Sequence, residues 1–212
     1  MKQIICMVAM CVTVLAGVWL VTRSQGEKQG GVIEAIEARR SIRAYKDTPV
    51  EREKLQLIAE CGVKAPNAMG QQKWELRIVD SKEWIDNCTT AYLKAIDGTG
   101  KADYMKVGTP AFKNIFRNAA AVIFVAAPNG KFAGEDVGCL GQNMMLAATE
   151  LGLGTCFLGS AQMILAEPGM EAFLHSLAFS EGYNLRYALA VGYPDETPEA
   201  KPRDLSKIKF VE

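Results

Sequence analysis

Histidine is all but missing: the chain of 212 residues has one, His175, inside "MEAFLHSLAF". Serine–histidine–aspartate and cysteine–histidine catalysis both need a base that this chain is poorly equipped to supply, and a helical reading makes His175 a structural or surface residue. An excess of positive charge is also absent, since 24 Lys and Arg balance 24 Asp and Glu. Nucleic-acid backbones ask for a broad basic surface, so no nucleic-acid partner is expected, and any anion site must be local. None of the six cysteines stands in CxxC spacing, so a zinc site would need irregularly spaced thiolates, and no metal is expected. There is no internal repeat and no low-complexity block, and an apolar content of 49% suits one domain with a full core. The glycines of "GLG" at 152–154 follow a helical pattern rather than a strand, which removes a dinucleotide-binding fingerprint and leaves Gly152 or Gly154 as a left-handed helix cap.

What is present begins with "IICMVAMCVTVLAGVWLV", residues 4–21, a run of 18 without a charge. As a helix it would reach about 27 Å, enough to cross a hydrocarbon core. The polar, glycine-rich "TRSQGEKQGG" then reads as a tether. The expected organisation is an anchor or signal segment over 1–30 and a folded domain over 31–212. Lys2 precedes the run while Arg23, Lys28, Arg39 and Arg40 follow it, which favours a membrane-anchored protein with its catalytic domain in the cytoplasm. Export to the periplasm after cleavage near Ser24–Gly26 is the alternative.

Helical spacing recurs in "GVIEAIEARRS", in "EREKLQLIAECGVKA", behind a Ser81 cap in "SKEWIDNCTTAYLKAI", in "EDVGCLGQNMMLAATELGLG" and in "AEPGMEAFLHSLAF". "WELRIVD" alternates like a strand, "AAAVIFVAAP" is apolar throughout like a central strand covered on both faces, "TCFLGS" suits a short strand or a loop, "RYALAVGYP" is a strong strand, and "KIKFV" suits a short terminal one. About five helices and four or five strands are expected.

Four stretches are candidates for chemistry. In "EARRSIRAYKD", Arg39 and Arg43 share a helix face, or Ser41 and Arg43 share one side of an extended segment, so their donors converge and suit a phosphate. The plainer alternative is a set of cations complementing a helix C-terminus. "APNAMGQQKWEL" is a loop rich in amide side chains, "FLGS" ends a strand on a glycine that lets backbone amides approach a flat ligand, and "VGYPDETPEAKPR" delivers Lys201 and Arg203 beyond two prolines.

In this order, "ARRSIRAY", "APNAMGQQKW", "GLGTCFLGS" and "VGYPDETPEAKPR" resemble the FMN-dependent nitroreductase family across nearly all of residues 31–212. The resemblance implies an α+β fold, a three-layer α/β/α sandwich with a central mixed, mainly antiparallel sheet, in an intertwined homodimer with two flavins at the interface. It implies that Arg39, Ser41 and Arg43, with Arg40, hold the FMN phosphate, ribityl chain and pyrimidine edge, and that Lys201 and Arg203 add to the phosphate grip. It brings Pro66, Asn67, Ala68 and Gln72 to the flavin of the other subunit, and Gly159 and Ser160 to flavin N5 and O4. Gly70 stands where the family usually has an asparagine and Lys73 replaces a common proline, leaving Asn67 as a nearby amide.

The implied activity is a ping-pong NAD(P)H oxidoreductase, with NADH or NADPH as donor and a nitroaromatic, quinone or related small molecule as acceptor. The flavin supplies the hydride chemistry, so no catalytic side chain is required, and Arg43 is an electrostatic stabiliser of the charge that develops on reduction. Two alternatives stand beside it: a specialised flavin dehydrogenase or reductive dehalogenase of the same fold, and a membrane-tethered FMN-binding module without turnover.

Overall fold

The structure is a computed structural model that describes residues 31–102 and 105–211. The chain divides into two compact units, Met1–Glu37 and Ala38–Glu212. The described part of the first is a short helix, α1 (Val32–Ala38), which ends at the first residue of the second unit.

The second unit is ordered as α2 (Arg52–Val63), β1 (Glu75–Val79), α3 (Lys82–Ala95), β2 (Ala121–Pro128), α4 (Ala133–Glu150), β3 (Gly154–Leu158), α5 (Ala161–Leu165), α6 (Glu171–Ser176) and β4 (Tyr183–Gly192). The strands form one sheet in the order β1-β2-β4-β3, with every neighbouring pair antiparallel. The sheet was expected to be mixed; among the described residues its one parallel element is an isolated bridge from Ser41 to Thr155 beside β3.

Strand side chains alternate between faces, and the two faces carry different helices. Val122 and Phe124 of β2 and Ala188 and Ala190 of β4 pack with α3 and α5 through Ile85, Cys88, Ile164 and Leu165. Ile123 and Val125 of β2 and Tyr187 and Leu189 of β4 pack with α2 and α4 through Leu55, Ile58, Leu140 and Met144. This is the expected α/β/α sandwich. "AVIFVAA" is fully buried at the centre, as a strand covered on both faces must be.

Ser81 caps α3, its side chain accepting from the Trp84 amide at 3.2 Å. The helix expected across "AEPGMEAFLHSLAF" starts only after Pro168 and Gly169, as the six-residue α6, and the short α5 ahead of it at Ala161–Leu165 falls where a strand or loop was expected to end. "KIKFV" forms no strand and pairs with none among the described residues; Phe210 and Val211 lie almost wholly exposed.

The membrane run expected at residues 4–21 lies outside the described residues. The expectation of a membrane-anchored enzyme with a cytoplasm-facing catalytic domain, together with its exported alternative, is corrected. Among the described residues no helix is long and apolar enough to cross a membrane. The longest, α4 at 18 residues, opens on Glu135 and Asp136 and buries only one face, as a helix lying on a sheet does.

Candidate functional site

The segment from Ser41 to Lys46 is extended and lies along the end of the sheet. On one side the Ile42 amide donates to the Thr155 carbonyl at 2.9 Å. On the other, Lys46 N donates to the Tyr193 carbonyl at 2.9 Å and Asp195 N to the Ala44 carbonyl at 3.0 Å, so residues 44–46 pair with the chain leaving β4. Two apolar side chains anchor the segment: Ile42 is 7% exposed and Tyr45 2%, with the Tyr45 hydroxyl bonded to the Ile42 carbonyl at 2.6 Å. Burial pushes that hydroxyl's pKa well above its ordinary value, so it stays a donor.

Room for these anchors comes from two glycines paired across β3 and β4, Gly154 and Gly192. A Cβ on Gly154 would stand 2.6 Å from Ile42 Cγ1 and 2.8 Å from Ile42 Cβ, and one on Gly192 would stand 2.7 Å from Tyr45 Cδ1. Of the two glycines read as cap candidates after α4, Gly152 is the left-handed one, at φ 72°. Gly154 serves the Arg-rich segment instead.

With Ile42 and Tyr45 buried, Arg43 between them is exposed, while Arg39, Arg40 and Ser41 are half-buried. Arg40 Nη1 donates to the Arg39 carbonyl at 2.9 Å and Arg43 Nη1 to the Ser41 carbonyl at 3.1 Å. One oxygen of Glu196 accepts from the amides of both Arg43 and Ala44. Two cavities meet at this carboxylate. One, of about 260 Å³, has Arg39 and Arg40 on its wall; the other, of about 360 Å³, has Arg43 and Ser160.

The remaining expected residues lie apart from these walls. Pro66, Asn67 and Ala68 border a third cavity with Asp136 of α4, whose carboxylate accepts from the Ala68 amide at 2.8 Å. Asn67 Oδ1 accepts from the Gln72 amide at 2.8 Å, so this amide side chain closes its own loop instead of replacing the asparagine absent at Gly70. Met69, Gly70 and Gln72 all hold positive φ, and Pro66 and Gln72 are exposed. Gly159 is exposed, and a Cβ there would meet nothing within 4 Å. Lys201 and Arg203 are exposed, and the Arg203 guanidinium bonds the carbonyls of Lys201 and Pro202 in its own loop.

Five residues around the larger cavity escaped the sequence reading: Glu196, Lys106, Asn114, Arg117 and Asn118. Only the i, i+4 asparagine pair flanking Arg117 hinted at a built turn. Cys156 is 3% exposed within the apolar core, and burial raises its thiol pKa despite the opposing charges of Arg43, Arg117 and Arg39. His175 is exposed in the last turn of α6.

The family model described as "Nitroreductase family" matches residues 36–193. Two solved structures share the fold, each described as a nitroreductase with bound FMN. That from Desulfitobacterium hafniense DCB-2 is 29% identical, with a TM-score of 0.74, covering 85% of this chain and 98% of that one. The one from Bacteroides fragilis NCTC 9343 is 28% identical, with a TM-score of 0.71 and the same coverage. A curated relative, the NADPH-flavin oxidoreductase of Vibrio harveyi, is 27% identical over 180 residues, spanning 81% of this chain and 69% of its own length. With the sandwich, the Arg-rich edge segment and a family match running from α1 through β4, the chain belongs to the nitroreductase family.

Proposed function

We propose that this protein is an FMN-dependent NAD(P)H oxidoreductase acting on nitroaromatics, quinones or related acceptors. The observation that carries the reading is the docking of Arg39–Arg43 along the sheet edge, with its cations on the walls of two cavities that adjoin at Glu196. The residues present fit the cofactor. Backbone amides of this segment already hold an anion, the Glu196 carboxylate, and guanidinium forks suit a phosphate.

In this reading Arg39, Arg40 and Ser41 hold the FMN phosphate and ribityl chain, and Lys201 and Arg203 join them. Arg43 sits at the pyrimidine edge, where its fixed charge favours the negative charge that develops on reduction. Gly159 and Ser160 offer backbone amides to the ring. Bound FMN supplies hydride acceptance and donation, which is why the chain needs no acid–base histidine. The larger cavity serves donor and acceptor in turn, giving ping-pong kinetics.

We also propose a homodimer, in which Pro66, Asn67, Ala68 and Gln72 complete the site of the second copy. The exposed loop at 66–73 and the exposed apolar Leu205, Ile208, Phe210 and Val211 support it, because a lone chain leaves them facing water.

An anaerobic absorption spectrum before and after NADH or NADPH tests the reading. The expected result is a yellow protein bleached by the donor and restored by a nitroaromatic or quinone. A colourless protein that takes up no FMN overturns it, and a yellow protein that neither donor bleaches leaves a flavin-binding module in its place.

A further inference from the structure

The larger cavity carries more positive charge than the flavin reading uses. Among the described residues its walls hold three cations, Arg43, Lys106 and Arg117, against one carboxylate, Glu196. In that reading the cofactor phosphate is met at the neighbouring cavity by Arg39 and Arg40, and Arg43 is committed to the ring. Lys106 and Arg117 remain. Among the described residues neither has an ion-pair partner, although six acidic side chains elsewhere are paired.

Arg117 is also held in place at a cost. It and Asn118 have φ of 58° and 66°, a region that side chains other than glycine adopt only when the surroundings force them. The surroundings here are two asparagines. Asn118 Oδ1 accepts from the amides of Lys113 at 2.7 Å and Asn114 at 3.0 Å, and its Nδ2 donates to the Ala111 carbonyl at 2.8 Å. Asn114 Oδ1 accepts from the amides of Phe116 at 2.9 Å and Asn118 at 3.0 Å, and its Nδ2 donates to the Ala119 carbonyl at 3.1 Å. The buried Phe116 pins the turn from below. A turn fixed by six such bonds sets the backbone from which Arg117 reaches the cavity wall. Between the cations the wall is apolar, formed by Phe112, Ile115 and Ile164.

We propose that this cavity selects a flat electron acceptor bearing an acidic group, a carboxylate or sulfonate on an aromatic ring, and that Lys106 and Arg117 are the residues that select it. The inference rests on the flavin reading above and names the substrate class of the same site. The apolar wall takes the ring, and the two cations take the acid at the rim, where a guanidinium binds a carboxylate in bidentate fashion.

The test uses the full-length protein as purified, with 4-nitrobenzoate and nitrobenzene as a matched pair of acceptors. The wild type should prefer the anion, and R117Q should raise KM for 4-nitrobenzoate about fivefold to tenfold while moving KM for nitrobenzene less than about twofold. R117K should recover part of the loss, and K106Q should act in the same direction. Calorimetric titration with benzoate and benzamide gives a second readout independent of turnover: benzoate should bind more tightly in the wild type and lose that advantage in R117Q. A wild type indifferent to the acid, in rate and in calorimetry, overturns the proposal. So does an R117Q whose defect lies in KM for NADH or NADPH with the acceptor ratio unchanged, because the cations would then hold the donor's phosphates. The flavin content of the same samples separates this failure from that of the wider reading: a flavin-free protein sinks the latter, and the benzoate titration still decides the former.

Discussion

Changing Gly154 to Ala tests how the cofactor segment is seated. The added methyl would lie 2.6, 2.8 and 3.0 Å from Cγ1, Cβ and Cγ2 of Ile42. All three atoms belong to one β-branched side chain, and Cβ is fixed to the backbone, so a rotamer change cannot clear the clash. The 41–46 segment must move. Overpacking of this kind costs about 1–3 kcal/mol, and the entropy that alanine removes from the unfolded chain returns about 0.4–1 kcal/mol. The net loss should lie between about 0 and 2.6 kcal/mol, toward the upper end because the clash includes the fixed Ile42 Cβ, lowering Tm by about 2–4 °C for each kcal/mol in a protein of this size. Because the displaced segment holds Ser41 and Arg43, FMN affinity should fall as well, by about tenfold if one charge-assisted bond is lost. Thermal unfolding by circular dichroism and fluorescence titration with FMN measure the two effects. G159A is the control for the stability effect alone, since a methyl there meets no protein atom within 4 Å. In an I42G background, which removes the Ile42 Cβ as well as its γ carbons, the penalty of G154A should vanish, which ties it to that contact. A G154A protein with wild-type Tm and wild-type FMN affinity would refute the reasoning.

Replacing Arg39 by Ala should weaken FMN about tenfold to a hundredfold, the loss of one charge-assisted bond, and equilibrium titration checks it. C156S should retain flavin and turnover while losing about 1–3 kcal/mol of stability for burying a hydroxyl in the core; a flavin-loaded variant without turnover would give the thiol a redox role. Sedimentation of the flavin-loaded protein should show a dimer down to low concentration, and a loaded monomer would remove the second-copy role of Pro66, Asn67, Ala68 and Gln72. The hydrogen bond from Tyr193, followed by the Glu51 backbone and Lys54, lowers the Glu51 pKa from 4.5 to about 2. A lowered carboxylate pKa stabilises the fold above the unfolded value, and that stabilisation is lost as pH falls from about 4.5 to about 2. The Tm of E51Q should therefore lie below the wild type at neutral pH and converge with it near pH 2.

The strands and long helices were legible because burial on the two sheet faces imposes its period on the sequence, and "AVIFVAA" shows it by having no polar face at all. Local chemistry was legible too, as at the Ser81 cap. What could not be read were features decided by distant partners. Gly152 and Gly154 are equivalent as letters, and only the arrival of Ile42 separates the cap from the slot. "KIKFV" has strand composition but pairs with no strand among the described residues. At the site, the arginine cluster announced itself by density, whereas Glu196 is one acid in a polar loop until the fold sets it on the amides of Arg43 and Ala44. Arg117 becomes distinctive only through the φ angles that its asparagine neighbours impose. The membrane placement failed because it weighed a segment outside the described fold.

The bond between Glu196 and the Arg43 amide joins residues 153 positions apart. The Arg-rich segment emerges early in synthesis, but the carboxylate that fixes it, and the β3–β4 glycine pair that seats it, come near the end of the chain. Closing so long a loop must precede any gain from the contacts it makes. On the proposed reading a nascent chain therefore carries arginines but no completed site, and a chain stopped short of Glu196 should take up no flavin however much surrounds it.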